Sequence, residues 1–231
     1  MSKNIIVIPT YNEEDNIVQL VESLSKIDSD IIFVDDNSPD ETQNIIKQLK
    51  KFNTSIFLIG REGKNGYASA CIEGFLYGLK NEYDYIIQMD ADLSHSAEDL
   101  EKLIELSEEN DLVIGSRYIK NGRTSGWGLS RNLLSRTANI FSKFYLKQDI
   151  RDLTSGFRVY RAEILQIVEL EQLKSEGYGF LVEILYKISK FTNKIKEVPI
   201  HFNDRKFGQS KMNSKIIFEA IKLVIFLPFK R

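Results

Sequence analysis

The chain has 231 residues, enough for one large domain or two small ones, and an ordinary globular balance of 42% hydrophobic and 28% charged residues. A formal net charge of -2 lacks the strong basic bias that a duplex nucleic-acid partner usually demands, so no nucleic-acid partner is expected. The single cysteine, Cys71, excludes a disulfide scaffold and an all-cysteine metal site.

The first half alternates short β-branched runs with longer helical patterns. Residues 4–8 read as a strand and 13–26 as a helix, with Ile17, Leu20, Val21 and Leu24 on one face. A second strand is expected over 30–34. A helix over 39–51 follows, with Ser38 as its cap and Pro39 at its first position. Strands over 55–59, 85–89 and 112–115 then alternate with helices over 68–79 and 97–107. Cys71 falls inside one of these helices and reads as a buried residue. The strands are nearly continuous apolar runs, as a sheet covered on both faces requires. The order predicts an α/β fold with an open, mostly parallel sheet and right-handed crossovers. In the second half, 130–146, 162–170 and 180–189 read as helices. Residues 195–201 read as a short strand whose Pro199 suits an edge. No linker-like run divides the chain.

The apolar run at the N-terminus is too short for a signal peptide. No stretch reaches the about 20 apolar residues that span a bilayer. The last segment carries Ile216, Ile217, Ala220, Ile221, Val224, Ile225 and Leu227 at helical spacing, opposite Lys215, Glu219 and Lys222. Residues 212–231 are therefore expected to form an amphipathic helix lying on a membrane surface or docking on a partner, after a catalytic domain over 1–211.

Ligands of an open α/β sheet gather at the carboxyl ends of its strands. Those ends carry Pro9-Thr10-Tyr11-Asn12-Glu13, Asp35-Asp36-Asn37-Ser38, Asp90-Ala91-Asp92 and Gly115-Ser116-Arg117-Tyr118. In extended backbone, residues two apart put Asp90 and Asp92 on one side. A hard cation, Mg²⁺ or Mn²⁺, would relieve their repulsion and use substrate phosphates to complete its shell. No G-x-G-x-x-G or G-x-x-x-x-G-K-[ST] loop is present, so a nucleotide would be held another way. Asp36 and Glu13 could accept from base or ribose groups, or serve as helix-capping acids. Arg131 and Ser135, four apart on a helix, share a face that could clamp a phosphate. Arg205, Lys206 and Lys211 flank a flexible loop suited to a lid over an anion. His95 beside the acid pair is open to packing or chemical roles.

The chain resembles the family-2 glycosyltransferases of GT-A fold, and within them the dolichol-phosphate (polyprenyl-phosphate) mannosyltransferases. The matching stretches are VIPTYNEEDNI, VDDNSPDET, MDADLSH, IGSRY, GWGLSRNLLSRTAN, DLTSGFRVYR, GYGFLVEIL and VPIHFNDRKFGQSK, from residue 7 to residue 211. SRNLLSRTAN and DRKFGQSK are the most specific. The resemblance implies inverting transfer of mannose from GDP-mannose to a dolichyl or polyprenyl phosphate. It implies a nucleoside pocket of Pro9, Tyr11, Glu13, Val34 and Asp36, with Asp90, Ala91 and Asp92 serving the metal and diphosphate. Arg117, Arg131, Ser135, Arg205 and Lys211 would surround the phosphates. Ser94 stands where many members carry Gln and would be a weak metal ligand. A lipid phosphate needs little help from a base, so Asp92, Arg117 and Asp152 are the groups expected to carry catalysis, Asp152 by holding an arginine or shaping the acceptor site. The expected setting is the cytoplasmic face of a membrane, plasma membrane in a prokaryote or endoplasmic reticulum in a eukaryote, with a small membrane-anchor subunit as a further partner. A UDP-glucose-dependent polyprenyl-phosphate glucosyltransferase is the nearest rival. A nucleotidylyltransferase, or a noncatalytic nucleotide-sugar-binding or scaffold protein, is more remote.

Overall fold

The computed structural model describes residues 2–126, 128–146, 149–173, 175 and 177–204. Nine strands and seven α-helices occur among them, in the order β1 (Asn4–Thr10), α1 (Ile17–Leu24), β2 (Asp30–Asp35), α2 (Thr42–Phe52), β3 (Ile56–Gly60), α3 (Tyr67–Lys80), β4 (Tyr85–Gln88), α4 (Ala97–Ser107), β5 (Leu112–Ser116), β6 (Arg123–Ser125), α5 (Leu129–Leu146), β7 (Arg158–Arg161), α6 (Ala162–Ile167), α7 (Gly177–Ile188), β8 (Ile195–Pro199) and β9 (His201–Asn203), with a short 3-10 helix (Leu170–Gln172) between α6 and α7. The main sheet has the order β3-β2-β1-β4-β7-β5-β8, and β6 pairs with β9 in a separate ribbon. This is a GT-A-like α/β fold, its mostly parallel sheet flanked by helices on both faces.

Alternate residues of the strands face two cores. Ile5 and Val7 of β1 join Ile32 and Val34 of β2 in a cluster with Phe75, Phe180 and Leu185. Ile6 and Ile8 join Ile31 and Phe33 in a second cluster with Ile17, Leu20, Ile46 and Leu100. Burying both faces at about 25 cal/mol per Å² of apolar area makes this sheet the main source of stability. Helix α3 lies close enough to the sheet that a Cβ on Gly74 would stand 2.2 Å from Val7 Cγ1.

Three helix starts differ from the sequence expectation by three residues or more. The first helix begins at Ile17 rather than 13, because residues 13–16 form a turn closed by Asn16 N–H to Glu13 O (2.9 Å). The second begins at Thr42, and its N-cap is Glu41 rather than Ser38. Ser38 is occupied elsewhere: its hydroxyl donates to Asp35 Oδ2 and its amide to Asp35 Oδ1. The third expected helix of the second half starts at Gly177 rather than 180. The single strand expected over 195–201 becomes two, β8 and β9, separated by Ile200, and Pro199 ends β8 at the sheet margin.

Strands β6 and β7 were not legible in the pattern. Strand β7 inserts antiparallel between β4 and β5, pairing Gln88 with Arg158 on one side and Ile114 with Arg158 on the other. Its first residue therefore lies at the same sheet edge as the ends of β4 and β5. The expected C-terminal helix over 212–231, and Arg205, Lys206 and Lys211, lie outside the described residues. Among the described residues no helix is long and apolar enough to cross a membrane.

Candidate active site

The acid pair lies just past β4, which ends at Gln88, and a bend over residues 91–93 takes Asp92 off the line of the strand. The sequence expectation of alternation along a strand is corrected here. Asp92 Oδ1 accepts from Ser94 N–H (3.2 Å), a local turn of the kind Asp side chains favour. Leu93 between them has φ 60°, a left-handed conformation that costs a non-glycine residue about 1–2 kcal/mol and commonly marks a functional loop. Asp92 is buried, whereas the Asp90 side chain is about one-third open.

Tyr67 donates to Asp90 Oδ1 (3.0 Å), and His95 Nε2 stands 3.7 Å from Asp90 Oδ2. The His95 ring stacks on Phe157 (4.4 Å between centroids) and meets Phe202 edge-on (5.2 Å). Both of its nitrogens are buried without a hydrogen bond among the described residues. Packing holds this imidazole beside the acid. Burial, then the nearby Asp90 charge, pushes the Tyr67 hydroxyl well above its ordinary range, so it remains a donor.

Ser94 Oγ is buried and has no hydrogen-bond partner among the described residues. Two carboxylates and this orphaned hydroxyl form an all-oxygen set that fits a hard divalent cation. Among the described residues no three His, Cys, Asp or Glu side chains converge as a closed cage. An open set of this kind suits Mg²⁺ or Mn²⁺, which keep positions for substrate phosphates.

The nucleoside-side candidates line the ends of β1 and β2. Pro9 pairs in register with Val34, whose side chain is fully buried in the core. Lys64 Nζ lies 3.7 Å from the Tyr11 ring centroid, a cation–π contact. Glu13 accepts from Asn16 Nδ2, and its own N–H donates to Thr42 Oγ1. Asp36 accepts from Arg61 Nη1 (2.9 Å), Asn65 N–H and Gly66 N–H (both 2.8 Å). It thereby ties the loop after β3 to the end of β2. Ala91 packs into the second core cluster.

Beyond β5, Arg117 is half of a buried ion pair. Its Nε and Nη2 donate to the two oxygens of Asp152 (both 2.7 Å), and its backbone N–H donates to Oδ2 (3.0 Å). Nη2 also reaches Thr154 Oγ1 (3.0 Å). This bidentate grip fixes the guanidinium plane. The ring of Phe202 lies 5.4 Å from Arg117 Cζ and also touches His95, so one aromatic joins the cation to the acid loop.

Helix α5 is fastened to the same loop. Asn139 Nδ2 donates to Thr154 Oγ1 and Asn139 Oδ1 accepts from Leu153 N–H. Ser135 Oγ accepts from the Tyr118 hydroxyl (2.6 Å), bringing α5 to the end of β5. Arg131 lies on α5 by its backbone; its side chain is outside the described residues.

Sequence reasoning missed several contributors. Arg61 follows the end of β3, and treating that end like the other four would have found it. Arg158 is fully buried and donates to the carbonyls of Leu153, Ser155 and Leu181, so the loop over 152–157 wraps around its guanidinium. Only its place in the sheet reveals that role.

The family model for "Glycosyl transferase family 2" matches residues 5–168. The chain belongs to glycosyl transferase family 2. It is 37% identical over 217 residues to an undecaprenyl-phosphate mannosyltransferase of Micrococcus luteus, covering 93% of this chain and 89% of that protein. It is 36% identical over 223 residues to a polyprenol monophosphomannose synthase of Mycolicibacterium smegmatis, covering 95% and 84%. This family member is thus homologous to polyprenyl-phosphate mannosyltransferases and is an enzyme of the transferase class. Among solved structures, it resembles glucosyl-3-phosphoglycerate synthase from Mycobacterium tuberculosis, solved with Mn²⁺, UDP and glucosyl-3-phosphoglycerate. The TM-score is 0.71 at 17% identity, over 98% of this chain and 80% of that one. A mannosyltransferase from Pyrobaculum calidifontis, solved with GDP-Man and Mn²⁺, gives a TM-score of 0.59 at 12% identity over 97% and 69%. These two likenesses concern the shared fold.

Proposed function

We propose that the protein transfers mannose from GDP-mannose to a dolichyl or polyprenyl phosphate, with inversion, using Mg²⁺ or Mn²⁺ held at Asp90, Asp92 and, weakly, Ser94. The observation that carries this reading is the union, at one sheet edge, of an all-oxygen acid loop with the Arg117–Asp152 pair and the Ser135 face of α5. The names of the two relatives, and the Mn²⁺ in the two solved structures, support the same assignment.

When bound, the cation would neutralise charge gathering on the departing diphosphate. Pro9, Tyr11, Glu13, Val34 and Asp36 would shape the nucleoside end. Arg117, oriented by Asp152, would screen the phosphate charges as donor and acceptor approach, with Arg131 and Ser135 beside it. Arg205 and Lys211 would close over the anions. The acceptor phosphate is already anionic near neutral pH, its second pKa being about 6, so orientation and charge screening carry the step.

Helix α5 also supports a lipid acceptor. Leu133, Ile140 and Phe144 are 68%, 69% and 85% exposed, and their spacing puts them on one face. Exposed apolar stripes of this kind mark lipid or partner contact. Ser135 lies on the opposite face of α5 from this stripe, so the phosphate would sit on the Tyr118 side while the stripe rests on the bilayer that carries the isoprenoid chain. We assign the working position to the cytoplasmic face of a membrane, with residues 212–231 as a second interfacial element after the catalytic domain of 1–211. Liposome binding by the chain alone separates direct attachment from attachment through a small membrane-anchor subunit.

The deciding experiment is a donor screen with Mn²⁺ or Mg²⁺, a short polyprenyl phosphate, and identification of the lipid product. GDP-mannose is expected to give polyprenyl-phosphate mannose. Asp92→Asn is expected to lower turnover about 10²–10³-fold, as for loss of one electrostatic group aimed at developing charge. Transfer from UDP-glucose with none from GDP-mannose would overturn the donor assignment.

A further inference from the structure

A line of hydrogen bonds runs from the middle of the sheet to Asp90. The Tyr160 hydroxyl, fully buried on β7, donates to Gln88 Oε1 (2.9 Å). Gln88, fully buried at the end of β4, donates from Nε2 to the Tyr67 hydroxyl oxygen (2.9 Å). Tyr67, the first residue of α3, donates to Asp90 Oδ1 (3.0 Å).

The direction of this line is fixed by its last member. An ionised carboxylate only accepts, so the one Tyr67 proton must point at Asp90. The Tyr67 oxygen must then accept from its other neighbour. That requirement turns the Gln88 amide so that its nitrogen faces Tyr67 and its oxygen faces Tyr160. The opposite amide orientation would set two acceptors against each other in a buried place.

The loop before β7 leaves room for this contact. A Cβ on Gly156 would lie 2.7 Å from the Tyr67 hydroxyl oxygen and 3.4 Å from Asp90 Oδ1. Glycine is therefore required at this crossing for steric reasons. Helix α3 thus reaches Asp90 Oδ1 directly, with β4 and β7 behind it along the line and the loop over 152–157 packed alongside.

We propose that Tyr67 is a positioning residue for the cation: its hydroxyl donates to Asp90 Oδ1 and so fixes the rotamer of a carboxylate that would hold the metal. This rests on the reading of Asp90 and Asp92 as the cation-holding pair. Hydrogen bonds to ligating carboxylates orient them, and losing such a bond typically weakens metal affinity about 10–100-fold.

The test uses the full chain, with Mn²⁺ binding in the presence of GDP measured by electron paramagnetic resonance of the free ion. Tyr67→Phe keeps the ring and removes only the hydroxyl. It is expected to weaken Mn²⁺ binding about 10-fold while metal-free GDP affinity stays within about twofold. Gly156→Ala keeps the hydroxyl but crowds it, and is expected to weaken Mn²⁺ binding in the same direction. Wild-type affinity for Mn²⁺ in folded Tyr67→Phe overturns the role of Tyr67 alone, whatever Gly156→Ala does. Equal losses of Mn²⁺ and metal-free GDP affinity also overturn it, since they signal general distortion of the site. Absence of Mn²⁺ binding by the wild-type chain with GDP overturns the underlying reading of the acid pair.

Discussion

The two halves of the sheet edge hold their irregular loops by opposite chemistry. On the β1–β3 side, buried acids gather backbone and side-chain donors. Asp35 accepts from Thr10, Ser38 and Gln43, and Asp36 gathers Arg61 with the amides of Asn65 and Gly66. On the β5–β7 side, buried guanidiniums gather acceptors. Arg117 grips Asp152, and Arg158 grips three carbonyls. Each solution satisfies buried polar groups that would otherwise cost about 1–3 kcal/mol apiece. In the proposed function the acid-built side would hold the nucleoside end of the donor, and the arginine-built side would meet the phosphates. The loop chemistry that stabilises each half thus also fits the substrate group proposed for it.

The sharpest way to break this contrast is to strand a buried charge. Asp152→Ala leaves Arg117 without its carboxylate and is expected to cost about 3–5 kcal/mol, read from the urea midpoint. Acceptor turnover should fall with it, because the guanidinium loses its fixed plane. Asp36→Ala removes the acceptor for Arg61 and two amides on the other side. About 2–3 kcal/mol is expected there, with a rise in the KM for the nucleotide donor. Equal effects of both variants on donor and acceptor kinetics would dissolve the division between the halves.

A pH series sharpens the comparison at the boundary strand. Burial pushes the Tyr160 hydroxyl up to about 12, against an ordinary value near 10. The folded state therefore keeps its proton longer than the unfolded state does. Stability from this group is complete below about pH 10 and is lost as pH rises toward 12, by about 2 kcal/mol. Urea midpoints should drop across that window, and Tyr160→Phe should flatten the drop. The smallest effect is expected at α4, which begins just after the acid loop. Ser96 Oγ accepts from Asp99 N–H as its cap, and Ser96→Ala should cost about 1 kcal/mol with donor specificity unchanged. Thermal melts read this change.

The first half was legible because its signals are local. Runs such as Ile5–Ile8 alternate between two cores and declare a covered strand without reference to anything distant. The acids at the strand ends were equally visible. Their partners were not. Nothing near Asp152 in sequence announces Arg117, which lies 35 positions earlier. Arg158 and Arg161 bracket a four-residue strand, and two arginines in so short a run argue against a central position. Backbone carbonyls reached across the fold make that position tolerable. Ser38 was misread as a cap because its rival acceptor, Asp35, only becomes available once the end of β2 is shaped.

The inserted strand β7 has a consequence for the order of assembly. During synthesis β4 and β5 emerge well before the residues that separate them in the finished sheet. The four strands β3-β2-β1-β4 can pair as they appear, but β4 keeps an open edge until residues 158–161 arrive. Strand β5 has no neighbour to join before then, since both of its partners, β7 and β8, come later in the chain. The same late insertion delivers Gly156, Asp152 and the Arg158 anchor to the sheet edge. A nascent chain stopped before residue 158 would carry the acid loop without its surroundings, and an exposed strand edge prone to mispairing. Insertion of β7 joins the two parts of the sheet and brings Asp152 and Gly156 to the acid loop in the same step.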